Sequence, residues 1–365
     1  MIFSEKREWM MNLNDINRFR LIDSENYIGQ IQALPEQLQT SWNLGQSLSF
    51  PYKNDIKAIL IAGMGGSAIG ADLLAAYLAP ACSVPVYIQR DYELPAWAES
   101  SKTLVVACSH SGDTEETLSI FKQALANRCQ VLSISTGGKL TAAAQTAGVP
   151  SWTFEHLGQP RAAVGYTFGL LLALISRLGL IANQEDELSR TIQAMHDQQA
   201  HFEPDVPVVK NPAKRMAGQL IGRWVTIMGS GYLAPVARRW KCQINEVAKT
   251  WVQFEFLPEA DHNTLAGCFY PSELINQMVT LFLRAPSDHP RNRLRSDLTR
   301  KGFMLEGMST DFIDAVGDVP LAHIWTLLHY GDYVSYYLAM AYEVDPTSFG
   351  AIQGLKDEMK NSSEY

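Results

Sequence analysis

Apolar positions along the chain fall into short solid runs separated by amphipathic stretches. "IKAILIAGMGG" (56–66), "VPVYIQR" (84–90), "TLVVACS" (103–109), "QVLSIST" (130–136) and "SWTFEH" (151–156) read as strands. Between them, "SAIGADLLAAYLA" (67–79), "TEETLSIFKQALANR" (114–128) and "KLTAAAQTAG" (139–148) carry apolar residues at helical spacing. A strand covered on both faces loses the alternation of a half-buried one. Strands that alternate with helices at this spacing therefore imply a parallel sheet with helices on both sides. Residues 13–48 read as helical, and "VGYTFGLLLALISRLGLIA" (164–182) as a long buried helix. That run contains Arg177 and is barely long enough to span a bilayer, which argues for burial in protein.

Residues 184–220 are more polar, include "EPDVPVVKNP", and read as helix, linker and helix. The earlier pattern then returns. "GRWVTIMGSGYLAPVARRW" (222–240) is again strand, glycine turn and helix, with Gly229 matching Gly63 and Gly231 matching Gly65. "LINQMVTLFLRAP" (274–286) predicts a strand, "SDHPRNRLRSDLTRKG" a helix, "FMLEGM" (303–308) a strand, and residues 320–344 a long helix. The expected class is α/β, with two doubly wound lobes, each a mainly parallel sheet flanked by helices. The expected division is an N-terminal helical segment 1–48, a first lobe 49–183, a helical linker 184–220, a second lobe 221–344 and a C-terminal tail 345–365. Such folds bind ligands where strand ends meet helix starts.

Composition narrows the field of function. The chain has 365 residues, 47% hydrophobic and 19% charged, with a net charge of −8, which gives no support for nucleic acid or an acidic membrane as partner. Its five cysteines (Cys82, Cys108, Cys129, Cys242, Cys268) are widely spaced and form no CxxC, which suits a reducing cytoplasm. The start "MIFSEKREWMMNLND" has no apolar core of a signal peptide, and Met10 and Met11 offer later starts.

Two strand ends carry the candidate chemistry. "GMGGSAIG" (63–70) fits G-x-G-x-x-A through Gly63, Gly65 and Ala68, and Asp91 follows at the end of the next strand. That pattern suits a dinucleotide fold, and more broadly any anion held by bare amides at a helix start. Ser67 there also suits a plain helix cap. "SHSGDTEET" (109–117) separates these readings, because Ser109, Ser111 and Thr114 add three hydroxyls that a dinucleotide does not need and a phosphomonoester does. Capping through Asp113 and Glu116 accounts for part of that stretch but not for Ser109 and Ser111.

With "NEVAKTW" and "LPEADHN" in the second half and the ending "GDYVSYYLAMAYEVDPTSFGAIQGLK", these motifs resemble the sugar isomerase (SIS) domain family. Specifically, they resemble its two-lobed bifunctional phosphoglucose/phosphomannose isomerases, from about residue 15 to the C-terminus. The resemblance implies interconversion of glucose 6-phosphate, and of mannose 6-phosphate, with fructose 6-phosphate through a cis-enediol. It implies Glu246 as the base, His262 opening the ring, Arg161 stabilising the enediolate and Lys356 lying over the sugar. Gly65, Gly66, Ser67, Ser109, Ser111 and Thr114 would bind the phosphate. It further implies a cytoplasmic homodimer in which His262 serves the neighbouring subunit's site, with sugar 6-phosphates as partners and neither nucleic acid nor membrane. No cofactor or metal is expected, since the reaction has no net redox change and no ligand cluster stands at metal spacing. His110 stands where the family often has tyrosine, Asp113 where it often has asparagine, and "HNTLAG" and "PTSFGAI" also depart from its pattern. A non-catalytic phosphosugar sensor would keep the hydroxyls without needing Glu246 and His262, and a nicotinamide oxidoreductase would use Gly63, Gly65, Ala68 and Asp91 instead. An amidotransferase partner would need a glutaminase domain, for which two lobes leave no room.

Overall fold

Parallel strands covered on both faces must bury every side chain, and β3 (Thr103–Ser109) does so along its whole length. The computed structural model describes residues 12–51, 55–348 and 350–361. Three helices come first: α1 (Ile16–Ile22), α2 (Tyr27–Gln32) and α3 (Leu34–Ser47). β1 (Ala58–Ala62), β2 (Val86–Gln89), β3, β4 (Gln130–Ser135) and β5 (Ser151–Thr153) form one parallel sheet in the order β2-β1-β3-β4-β5. Its crossover helices are α4 (Gly65–Leu78), α5 (Glu115–Ala126) and α6 (Gly138–Ala147). The apolar α7 (Val164–Arg177) closes this half against α3 and α4.

Two amphipathic helices, α8 (Glu185–Gln199) and α9 (Pro212–Leu220), lead to the second sheet. There β6 (Trp224–Ser230) is followed by α10 (Ala234–Val247), β7 (Val252–Leu257), the short α11 (Ser272–Ile275), β8 (Met278–Arg284), α12 (Pro290–Leu305) and β9 (Ser309–Asp314). All pairs are parallel, in the order β7-β6-β8-β9. α13 (Pro320–Ala341) is buried almost throughout and packs on α8, α9 and α10, and α14 (Gly350–Asn361) ends the described chain. No described helix is long and apolar enough to cross a membrane.

The structure departs from the sequence expectation at three places. "FMLEGM" is not a strand: α12 runs to Leu305, and β9 is the next six residues, "STDFID". β7 was not anticipated as a strand at all. The tail beyond residue 345 contains a helix, α14.

The internal repeat is geometric as well as sequential. Gly65 and Gly231 both take the left-handed conformation, with φ of +49° and +50°. The residues before them are both extended, Met64 at φ −124°, ψ 156° and Ser230 at φ −137°, ψ 154°. An L side chain resists that left-handed turn, and glycine does not. The halves meet where α4 packs on α10. Asp72 on α4 accepts hydrogen bonds from Arg90 at the end of the first sheet and from Arg238 on α10 (2.9 Å). The next residue, Arg239, forms a bidentate pair with Asp332 of α13 at 3.1 and 2.7 Å, both residues buried. Each charge there needs the other, since a buried ion without a partner is costly.

Candidate active site

The turns after β1 and β3 lie side by side, because β1 and β3 are neighbours in the sheet. Ser67 and Ser109 are nearly buried, Thr114 is half-buried and Ser111 is exposed. Ser67 Oγ accepts the His110 amide at 3.2 Å, and Ser111 Oγ accepts the Asp113 amide at 3.2 Å. Ser109 Oγ accepts the Gly112 amide at 3.1 Å and shares a hydrogen bond of 2.8 Å with Thr114 Oγ1. Each amide occupies a lone pair and leaves the hydroxyl hydrogen unused. The Ser109–Thr114 contact consumes one hydrogen of two, so the two turns with Ser67 present three O–H donors. Among the described residues, the amides of Gly65 and Gly66 also meet no backbone acceptor, as expected of a helix start. Hydroxyls and amides gathered at adjoining turns, beside the positive end of α4, are the donor set that an anion cradle would need.

Asp113 has a structural partner of its own. Its carboxylate accepts the Lys139 amide at 3.2 Å, in the first turn of α6. The residue therefore caps α6 and not α5, whose own N-cap is Thr114. The capping box expected with Glu116 is absent.

Gly66 links the cradle to the next element. A Cβ on it would come within 2.5 Å of the Pro160 carbonyl oxygen and 3.1 Å of Arg161 Cα. The absence of a side chain lets the arginine turn, residues 160–162, press against α4. Arg161 is 3% exposed. Its Nη2 donates to the Pro346 carbonyl at 2.5 Å, its Cζ lies 5.2 Å from the Tyr27 ring centre, and Nη1 lies 3.8 Å from Glu246 Oε2. Glu246, near the end of α10, is half-buried. Just beyond it, Lys249 takes φ +54°, and its Nζ donates to the carbonyls of Glu246 (2.5 Å) and Ser348 (2.9 Å). An ammonium over the last turn of a helix satisfies its free carbonyls and complements its dipole.

The structure thus brings Gly65, Gly66, Ser67, Ser109, Ser111 and Thr114 together, with Arg161 and Glu246 joined to that group through Gly66. His262 and Lys356 stand apart within the single chain. His262, itself exposed, ends the 3-10 turn Glu259–His262, and Lys356 lies on the exposed α14. Sequence reasoning missed three supports of the site. Tyr27 is wholly buried under Arg161, and its hydroxyl accepts from Gln243 on α10 (3.2 Å). Pro346 and Ser348 accept from Arg161 and Lys249 through backbone carbonyls, which no side-chain motif could announce. Lys249 itself sat inside the "NEVAKTW" motif and was readable there.

Comparison with known proteins identifies the family. The family model of the bacterial phospho-glucose isomerase C-terminal SIS domain matches residues 209–359. A bifunctional phosphoglucose/phosphomannose isomerase of Caldicellulosiruptor bescii is 39% identical over 90% of this chain and 97% of its own. That of Aquifex aeolicus is 32% identical over 83% of this chain and 91% of its own. Among solved structures, a hypothetical protein from Thermus thermophilus superposes with a TM-score of 0.72 at 16% identity, over 96% of this chain and 94% of that one. Fold, strand-end hydroxyls and near full-length relatives converge: the chain belongs to the bifunctional phosphoglucose/phosphomannose isomerase family.

Proposed function

We propose that this enzyme interconverts glucose 6-phosphate and mannose 6-phosphate with fructose 6-phosphate, and that Glu246 is the base. The observation that carries the reading is the Arg161–Glu246 pair at 3.8 Å, held by a turn that presses on the anion cradle. The 6-phosphate sits on Gly65, Gly66, Ser67, Ser109, Ser111 and Thr114. Glu246 takes the proton from C2 of the open-chain aldose and returns it to C1, while the O2 hydroxyl proton passes to O1. Arg161 offers a fixed positive charge to the enediolate oxygens. His262 opens the sugar ring from the neighbouring subunit of a homodimer, and Lys356 covers the substrate. Support for the dimer comes from exposed apolar residues around His262: Phe256 on β7, Phe269 and Tyr270 beyond the turn, and Leu294 and Leu298 on α12. Large apolar groups clustered at a surface mark a contact. The five free cysteines fit a cytoplasmic enzyme.

The test is a coupled assay on fructose 6-phosphate that reads glucose 6-phosphate and mannose 6-phosphate separately. Glu246→Gln lowers kcat for both products by about a thousandfold, within the range attributed to a positioned base, and leaves KM within about threefold. A Glu246→Gln enzyme with wild-type turnover refutes the assignment, and a wild type that binds the sugar phosphates without turning them over identifies a sensor.

A further inference from the structure

His110 lies inside the cradle loop, and phosphate binding gives its side chain no task. Its amide donates to Ser67 Oγ at 3.2 Å, and its carbonyl accepts from the Thr136 amide and hydroxyl at 3.0 and 2.7 Å. Its backbone therefore joins the turns that follow β1, β3 and β4. Its ring makes a different connection. Nε2 lies 3.0 Å from Nδ1 of His156, five positions before Arg161 on the segment that carries the arginine. Phe154 packs edge-on against His110 with ring centres 6.1 Å apart, and Tyr166 against His156 at 5.7 Å. Among the described residues, the imidazole contact is the one side-chain hydrogen bond between segment 109–114 and segment 154–160.

The contact suits a fixed joint. Burial, followed by the neighbouring His156, pushes His110 down to about 4, and burial lowers His156 as well. Both rings are thus neutral at neutral pH, and an N–H···N bond with one shared hydrogen holds them. A charged side chain at this place would instead alter the field at the phosphate. Other restraints on the arginine turn include Gly66 against Pro160, the Gln37 amide on the Ala162 carbonyl (2.8 Å) and, just before the turn, the Gln159 amide on Gln30 Oε1 (2.8 Å), and these do not reach the cradle hydroxyls. Without the imidazole bond, the segment leading into that turn loses its side-chain bond to the cradle.

We propose that His110 and His156 are positioning residues that join the phosphate loop to the Arg161 loop, so that seating the phosphate also places the guanidinium. This rests on the roles given above to the cradle and to Arg161. Neither histidine touches the reacting carbons. Their effect runs through the arginine, and a displacement of a charged group by about 1 Å is enough to cost up to about a hundredfold in rate.

Steady-state kinetics on fructose 6-phosphate, with inorganic phosphate as competitive inhibitor, test this in His110→Phe, His156→Phe, the double variant and His110→Tyr, beside Arg161→Ala. Each phenylalanine variant lowers kcat about tenfold, while the inhibition constant of inorganic phosphate stays within about twofold of wild type. The double variant is no slower than the slower single one, because one joint is broken only once. His110→Tyr recovers most of the loss, since its hydroxyl donates to His156. Losses that multiply in the double variant, or an inhibition constant that rises in step with KM, overturn the proposal. Histidine variants with wild-type kcat beside a crippled Arg161→Ala overturn this inference alone. An Arg161→Ala enzyme with wild-type kcat overturns the arginine's role as well.

Discussion

The two lobes share a turn and differ in what they put on it. Gly65 and Gly231 have the same left-handed backbone, and each turn joins the second strand of its sheet's order to a helix. In the first lobe the first turn of the helix carries Ser67, whereas Leu233, wholly buried, stands at the equivalent place in the second. The neighbouring strand differs in the same sense. Ala62 pairs with Ala107 and Met228 with Phe282, so the residues two further on, Ser109 and Arg284, are equivalent. Ser109 helps hold out hydroxyl hydrogens, while Arg284 is consumed by a bidentate pair with Asp314 at 2.8 and 3.0 Å. Asp288, at the place of Asp113, is buried and accepts the Ala285 amide at 2.8 Å, whereas Asp113 is exposed and accepts the Lys139 amide. The second lobe contributes from the other end of its helix, through Glu246. On the roles proposed above, the duplicated fold divides its work: one copy would grip, and the other would move the proton. Fold alone did not decide which.

The largest expected effect exchanges the residues that distinguish the turns. Ser67→Leu removes a hydroxyl donor and fills the cradle, and it lowers kcat/KM by about a hundredfold or more, chiefly through KM for fructose 6-phosphate. Unchanged KM would show that the first lobe does not hold the phosphate. The converse change, Leu233→Ser, empties an apolar site and buries a hydroxyl. It costs about 3 kcal/mol in urea unfolding and creates no phosphate affinity. Next come Gly65→Ala and Gly231→Ala. A Cβ at either meets no protein atom within 4 Å, so both carry only the backbone penalty, about 1 kcal/mol each. Equal losses of Tm, with KM raised only by Gly65→Ala, would confirm that the turns share mechanics and not ligand.

The smallest effect concerns acid stability. Burial pushes His110 down to about 4 and also lowers His323, which lies 2.9 Å from Ser287 just past the end of the second lobe's β8. Unfolded, both titrate near 6.5, so the unfolded chain binds more protons below that pH. Stability is complete above about pH 7 and falls as pH drops toward 4, by at most about 1.4 kcal/mol per pH unit for each proton. His110→Tyr should flatten the unfolding free energy between pH 6 and 4.5 (about those limits) more than His323→Gln. Equal slopes would mean that the two strand ends are equally dry.

Much of this was legible in the sequence, and the failures share a cause. The central strand, residues 103–109, carries the bounds read from its apolar run. Both errors in the second sheet fall on its edge strands, β7 and β9. An edge strand leaves one side uncovered, so "STDFID" needs few apolar residues, and the apolar end of α12 just before it drew the assignment instead. The grouping of Ser67, Ser109, Ser111 and Thr114 was readable because their turns follow neighbouring strands of a parallel sheet. The Arg161–Glu246 contact joins the two halves of the chain, and only the family resemblance suggested it. Tyr27 looked like any core aromatic, and nothing local ties it to Arg161.

The carbonyls of Pro346 and Ser348 give the site an order of birth. A chain leaving the ribosome folds its N-terminal units first, and every side chain of the cradle lies before residue 115. The guanidinium and the lysine beside the base find those acceptors only among the final twenty or so residues. On the roles proposed above, a nascent chain would complete its phosphate donors long before its arginine and lysine are anchored, and premature termination would leave a binder in place of an enzyme.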